Sequence, residues 1–189
     1  MEKEHDDTAV FGFWVYLMTD LVIFAVLFAA FAVLRTSTFG GPSGRELFEM
    51  PVAMKETFIL LTSSFTCALG TLAVFRGRKK PALFWFAATF LLGIAFLFFE
   101  ITEFSQFVAT GNSWRRSGFL SSFFTLVGTH GTHISIGLIW MLVAILQIAM
   151  RPLTPFYISK IFRMALFWHF LDLVWIFIFT AVYGVGHLL

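Results

Sequence analysis

Five stretches of this chain, roughly residues 11–34, 57–75, 82–107, 119–150 and 161–188, are almost wholly apolar. Each has about the twenty residues that a helix needs to cross the hydrocarbon of a bilayer. Inside lipid no water is available to backbone N–H and C=O groups, so each stretch must satisfy them along its own helix. The chain is therefore predicted to be all-α, a polytopic membrane protein built as a five-transmembrane-helix bundle. Composition agrees. Only 13% of residues are charged, about half of what a soluble domain carries.

The connections are marked by turn chemistry. Residues 35–56 contain GGPSG followed by the amphipathic RELFEM, and Arg76-Gly77-Arg78-Lys79-Lys80-Pro81 is a short basic loop. Residues 110–118 are polar, and Pro152 and Pro155 end the long fourth stretch. No internal repeat, linker or soluble domain separates these pieces, so residues 1–189 read as a single membrane domain. The amino terminus MEKEHDDTAV is acidic and lacks a basic leader region. The apolar run behind it is accordingly expected to stay as a transmembrane helix. The lone cysteine, Cys67, offers neither a disulfide framework nor a thiolate site and reads as packing. A net charge of +2 carries no nucleic-acid footprint.

Lysine and arginine set the orientation. Lys3, Arg76, Arg78, Lys79, Lys80, Arg151, Lys160 and Arg163 fall on the amino-terminal side, against Arg35, Arg45, Lys55, Arg115 and Arg116 on the other. Eight against five places the amino terminus in the cytoplasm and the carboxyl terminus in the periplasm.

Three of the stretches each carry two ionisable residues three positions apart. Glu100 and Glu103 lie in LLGIAFLFFEITEF, His130 and His133 in TLVGTHGTHISIGL, and His169 and Asp172 in ALFWHFLDLVWIF. That spacing puts each pair on one helix face. An ionisable group costs ~2.5–3.5 kcal/mol or more at the bilayer centre, so its default reading is functional. Depth divides these residues into two layers. Asp20, His169 and Asp172 fall in the cytoplasmic half, while Glu100, Glu103, His130 and His133 fall in the outer half to the middle. Gly93 and Gly137 beside the polar pairs suggest close approach of the third and fourth spans, packed antiparallel, with Glu100 or Glu103 hydrogen-bonded to His130. Trp168, His169, Asp172 and Trp175 form a stripe suited to packing or to contact with another subunit within the bilayer.

A metal centre is the sharpest alternative for the pairs. Carboxylate-bridged bundles, however, use Glu-x-x-His on one helix, and that motif is absent from the spans. Haem ligation would need a second histidine at matching depth on a facing helix. Autonomous proton carriers show broken helices or repeats around a midplane site, whereas these spans are unbroken. Structural hydrogen bonding with subunit or lipid contact fits best, and only the inner layer is left for proton chemistry. Trp14, Trp85 and Trp114 suit interfacial anchoring, and His5 and His187, at the chain ends, carry no assigned role.

Several runs together carry a family resemblance: FGFWVYLMTDLVIFAVLFAAFAVL, GGPSGRELFEMP, ETFILLTSS, RSGFLSSFFTLVGTHGTHISIGLIWM and FWHFLDLVWIFIFTAVYGVG. They resemble subunit III of the haem–copper oxidases, in the shorter form of the cytochrome bo-type ubiquinol oxidases, over nearly the whole chain. The resemblance implies a non-catalytic subunit with no redox centre of its own, beside a larger catalytic subunit I that holds the haems and copper. It implies a multi-pass protein of the bacterial inner membrane, within a proton-pumping oxidase of the aerobic respiratory chain. It further implies bound phospholipid, a route for oxygen, and protection of the catalytic subunit during turnover. Asp20 matches the position of a carbodiimide-reactive carboxylate in longer relatives, as aspartate rather than glutamate. Glu103, His130 and His133 would be structural groups, and Trp168 to Trp175 part of the close packing. The alternatives are an intramembrane metal enzyme using the His and Glu pairs, or subunit III of a cytochrome c oxidase.

Overall fold

Each long apolar stretch closes its backbone hydrogen bonds within one helix, as lipid requires. The structure, a computed structural model, describes residues 2–42, 44–47 and 50–184. In chain order the helices are α1 (Glu2–Leu34), the single turn α2 (Gly44–Leu47), α3 (Met50–Phe75), α4 (Lys79–Ala109), α5 (Gly118–Met150) and α6 (Pro155–Ile178). The last continues as a wider π-helical segment over Phe179–Gly184. Five of these helices, α1 and α3 to α6, are long and apolar enough to cross a membrane. The described residues contain no strand. His187 and residues 185–188 of the expected fifth span lie outside the described residues, as does the side chain of His5.

Local chemistry sets the helix ends. Gly77 and Gly111 adopt left-handed backbone, with φ of 67° and 81°. At the first, the Gly77 and Arg78 amides donate back to the carbonyls of Val74 and Ala73. At the second, the Gly111 and Asn112 amides donate to Val108 and Phe107. That paired closure favours a residue without Cβ at the turn. Ser117 caps α5, its hydroxyl accepting from the Leu120 amide at 3.1 Å, and Pro155 opens α6. One boundary departs from expectation: α3 starts at Met50 rather than 57, about two turns earlier. Lys55 and Glu56 interrupt the apolar run, but the first turns of a spanning helix lie near the headgroups, where charge is tolerated.

The short turns make α3–α4 and α5–α6 neighbours. Helix α4 also packs on α5, and α6 returns to α3, so these four form a closed ring with α1 outside it against α5 and α6. Trp168 of α6 lies at the centre of the ring, fully buried. A Cβ at Gly93 would stand 2.7 Å from the Trp168 ring, and one at Gly137 3.3 Å from it. The two glycines thus form a slot for an indole, where the sequence suggested close contact of two backbones. The outside of the bundle is apolar too: Phe11, Val22, Val26, Phe58, Phe65, Leu91, Phe98 and Ile139 are all exposed. In lipid such a surface is the solvated one.

Candidate functional site

The most polar part of the interior lies near the α4–α5 turn. Glu56 enters from the start of α3, Glu100 and Glu103 from the end of α4, and Tyr183 from the π-helical segment; all four are buried. The Tyr183 hydroxyl donates to Glu103 Oε2 at 2.9 Å. The wider π winding carries Val182 and Tyr183 to the inside, both with no exposed surface. Glu56 is within electrostatic reach of Glu103 and Glu100, yet neither of its oxygens has a hydrogen-bond partner among the described residues. Glu100 Oε2 is also without one. The Glu100 carboxylate presses on Gly131 of α5, where a Cβ would come within 2.5 Å of Oε1. A larger residue there would have to displace that carboxylate.

His130, one residue before that glycine, is fully buried, and neither ring nitrogen has a hydrogen-bond partner among the described residues. Its ring is enclosed by Phe24, Phe96 and Trp175, with centroids 6.3, 5.9 and 5.3 Å away. The hydrogen bond expected between His130 and Glu100 or Glu103 is therefore not formed. Helices α4 and α5 do pack together, but Glu103 is engaged by Tyr183, Glu100 faces Gly131, and His130 points into an aromatic cage.

The two-layer division also fails for Asp20. Its Oδ1 stands 3.8 Å from His133 Nε2, so a residue expected in the inner layer pairs α1 with a residue of α5 expected in the outer one. Measured from the α1 end at Leu34 and the α5 start at Gly118, Asp20 and His133 sit at nearly the same depth. His133 Nδ1 lies 2.8 Å from the Thr129 carbonyl. A carbonyl can only accept, so Nδ1 carries the proton and Nε2 is the nitrogen turned toward Asp20. At 3.8 Å the contact is too long for a hydrogen bond, and it is an ion pair only when the imidazole is protonated on both nitrogens. Phe24 covers the pair, its ring centroid 5.2 Å from that of His133.

A third polar region joins α3 to α6. Trp168 Nε1 donates to Ser63 Oγ and Trp175 Nε1 to Thr57 Oγ1, each at 3.1 Å. Ser64 Oγ pairs with His169 Nδ1 at 2.7 Å, and Thr66 pairs with Thr89 of α4 at 2.8 Å. Trp168 and Trp175 are thus enclosed by their own chain, with 0% and 1% exposure, and neither is available to another subunit. Asp172 is buried on the same face, beside Ser64 of α3.

These positions bear on chemistry. Ser64 is bonded to His169 and also lies beside Asp172, so these three polar groups meet in one place between α3 and α6. Among the described residues no group of three or more His, Cys, Asp or Glu side chains is arranged to hold a metal ion. Sequence reasoning missed Glu56, Tyr183, Thr57, Ser63 and Ser64. A signal for the α3 residues does exist: Ala53, Glu56, Leu60, Ser63, Cys67 and Gly70 are buried at spacings of three and four, one helix face continued through Glu56.

Comparison with known proteins decides the family. A profile of cytochrome c oxidase subunit III matches residues 4–187. The chain belongs to that family. It is 53% identical over 189 residues to the cytochrome bo(3) ubiquinol oxidase subunit 3 of Pseudomonas aeruginosa, covering 99% of this chain and 90% of that one. It is 48% identical to the quinol oxidase subunit 3 of Bacillus spizizenii, covering 94% of this chain and 87% of that one. The cytochrome c oxidase subunit 3 of Bacillus sp. strain PS3 is 45% identical, covering 93% and 84%. Membership makes this multi-pass membrane protein a subunit of a terminal oxidase complex.

Proposed function

We propose that this chain is subunit III of a haem–copper quinol oxidase in a bacterial inner membrane, with its amino terminus cytoplasmic. It stands beside a catalytic subunit I that holds the haems and copper, oxidises ubiquinol, reduces oxygen and pumps protons. The observation that carries the reading is the 53% identity to a ubiquinol oxidase subunit 3 across 99% of the chain. The excess of lysine and arginine on the amino-terminal side supports the orientation.

In this reading the chain is a scaffold. Its outer face, rich in phenylalanine, holds lipid and offers an apolar medium in which oxygen dissolves without donors or acceptors. Glu103, Trp168 and Trp175 hold the ring together. Asp20, with Oδ2 lacking a hydrogen-bond partner, is the group to test for proton chemistry, together with His133. Asp20→Asn lowering pumping stoichiometry or shortening turnover life in the assembled oxidase would support that role, and unchanged values would remove it.

The relative named as a cytochrome c oxidase subunit at 45% identity favours a second reading of the electron donor alone. One experiment tests both. A tagged chain is purified from membranes and its partners, optical spectrum and activities are measured. Copurifying haem, with oxidation of ubiquinol and not of reduced cytochrome c, is the expected result. Oxidation of cytochrome c alone would replace the donor, and a chain isolated without any haem-bearing partner would overturn the subunit reading.

A further inference from the structure

The turn between α3 and α4 is the most basic segment of the chain, with Arg76, Arg78, Lys79 and Lys80 around Gly77. The left-handed Gly77 and its paired amide closure fix the path of this turn. The cations there are not equivalent. Lys79 Nζ donates to the Arg151 carbonyl at 2.6 Å, tying this turn to the one between α5 and α6. Arg76 and Arg78 are exposed, and their guanidinium groups make no hydrogen bond or ion pair with any described residue. They stand at the mouth of a groove of about 180 Å³ whose walls include Leu69, Leu72, Pro81 and Trp85.

The depth of those walls selects the occupant. Leu69 is six residues from the end of α3 and Trp85 six from the start of α4, about 9 Å along each helix. The mouth is therefore cationic and at the headgroup level, while the floor is apolar and reaches hydrocarbon, with a tryptophan at the boundary where its amphipathic ring is favoured. A free phosphate would meet the arginines but has nothing to place on leucine and indole. A peptide would bring backbone N–H and C=O groups into a region that cannot satisfy them. A phosphodiester carrying acyl chains meets both requirements, and clustered Lys and Arg beside a span attract anionic lipid.

We propose that this groove binds an anionic phospholipid of the cytoplasmic leaflet, with its phosphate between Arg76 and Arg78 and the first carbons of an acyl chain along Leu69, Leu72 and Trp85. The site rests on the membrane orientation proposed above and not on the identity of the electron donor. Lys79 holds the turn in place, and Lys80 adds to the local field without lining the groove.

The test is native mass spectrometry of the assembled, tagged oxidase after delipidation, titrated with phosphatidylglycerol, phosphatidylcholine or inorganic phosphate. Phosphatidylglycerol should bind with an affinity that falls roughly ten- to thirtyfold in Arg76→Gln/Arg78→Gln, from about 1 kcal/mol per surface cation. Raised salt should weaken it, and Arg115→Gln/Arg116→Gln at the opposite end should leave it unchanged. Four outcomes overturn the site: equal binding of phosphatidylcholine, phosphatidylglycerol binding indifferent to the double substitution, displacement of the lipid by inorganic phosphate, or loss of a partner subunit instead of lipid. Both substitutions are at exposed side chains, so folding does not confuse the result. A preparation lacking haem would sink the oxidase reading while leaving the lipid titration on the chain interpretable.

Discussion

Two faces of the four-helix ring bury polar groups in opposite ways. Between α3 and α6, the polar side chains of Ser63, Ser64, Thr57, Trp168, Trp175 and His169 pair off, each within 3.1 Å of its partner. Between α4 and α5, Glu100 Oε2 and both nitrogens of His130 have no partner, and Glu56 opposite them has none on either oxygen. The first face is a fastener. The second bears a cost in the bilayer that packing alone does not require, because an unpaired buried polar group costs about 1–3 kcal/mol. That contrast separates residues that hold the ring together from residues that burden it.

The contrast can be broken by measuring stability in mixed micelles titrated with denaturing detergent. The largest effect is expected from Trp168→Ala, which empties the slot between Gly93 and Gly137 and strips Ser63 of its donor. A loss of about 3–5 kcal/mol is expected for a buried tryptophan, and a loss under about 1 kcal/mol would mean that the slot collapses freely. Next comes Glu56→Met. It removes two unpartnered acceptors at similar volume, so it should be neutral or stabilise by up to about 1–3 kcal/mol. A marked destabilisation would show that Glu56 is paired in the assembled protein and would erase the difference between the faces. The smallest effect belongs to Ser63→Ala, about 1 kcal/mol, since it leaves the buried Trp168 indole N–H without its acceptor. A value several times larger would mark the α3–α6 bonds as a cooperative network rather than separate ties.

The bundle itself was legible in the sequence. Stretches of this length and apolarity in lipid leave helices as the only option, and Gly77, Gly111, Ser117 and Pro155 carry local signals that stop and start them. Glu100, Glu103, His130 and Asp172 were legible as buried, because ionisable groups in spans turn inward. Their partners were not legible. Helical spacing shows which residues share a face, but not which face of another helix meets it, nor the relative heights of two helices with unequal overhangs. Asp20 shows this well. It joins His133 rather than His169, although all three lie at similar depth, because its face of α1 is turned toward α5, a matter of helix rotation in the bundle. Glu56 was lost for a related reason: a charge near a helix end reads as loop until the neighbouring helices are seen to enclose it.

From the residues alone the chain is an all-α, five-span membrane protein, since the hydrocarbon thickness and the backbone's need for internal hydrogen bonds admit little else. Only the tertiary structure decided what the polar residues do. It placed Trp168 in a slot made by two glycines, turned Glu100 onto Gly131 and left His130 in an aromatic cage. It also set Arg76 and Arg78 over a groove that reaches hydrocarbon. Those outcomes depend on helix rotation and axial offset, which side-chain packing sets across the ring and which no single span encodes.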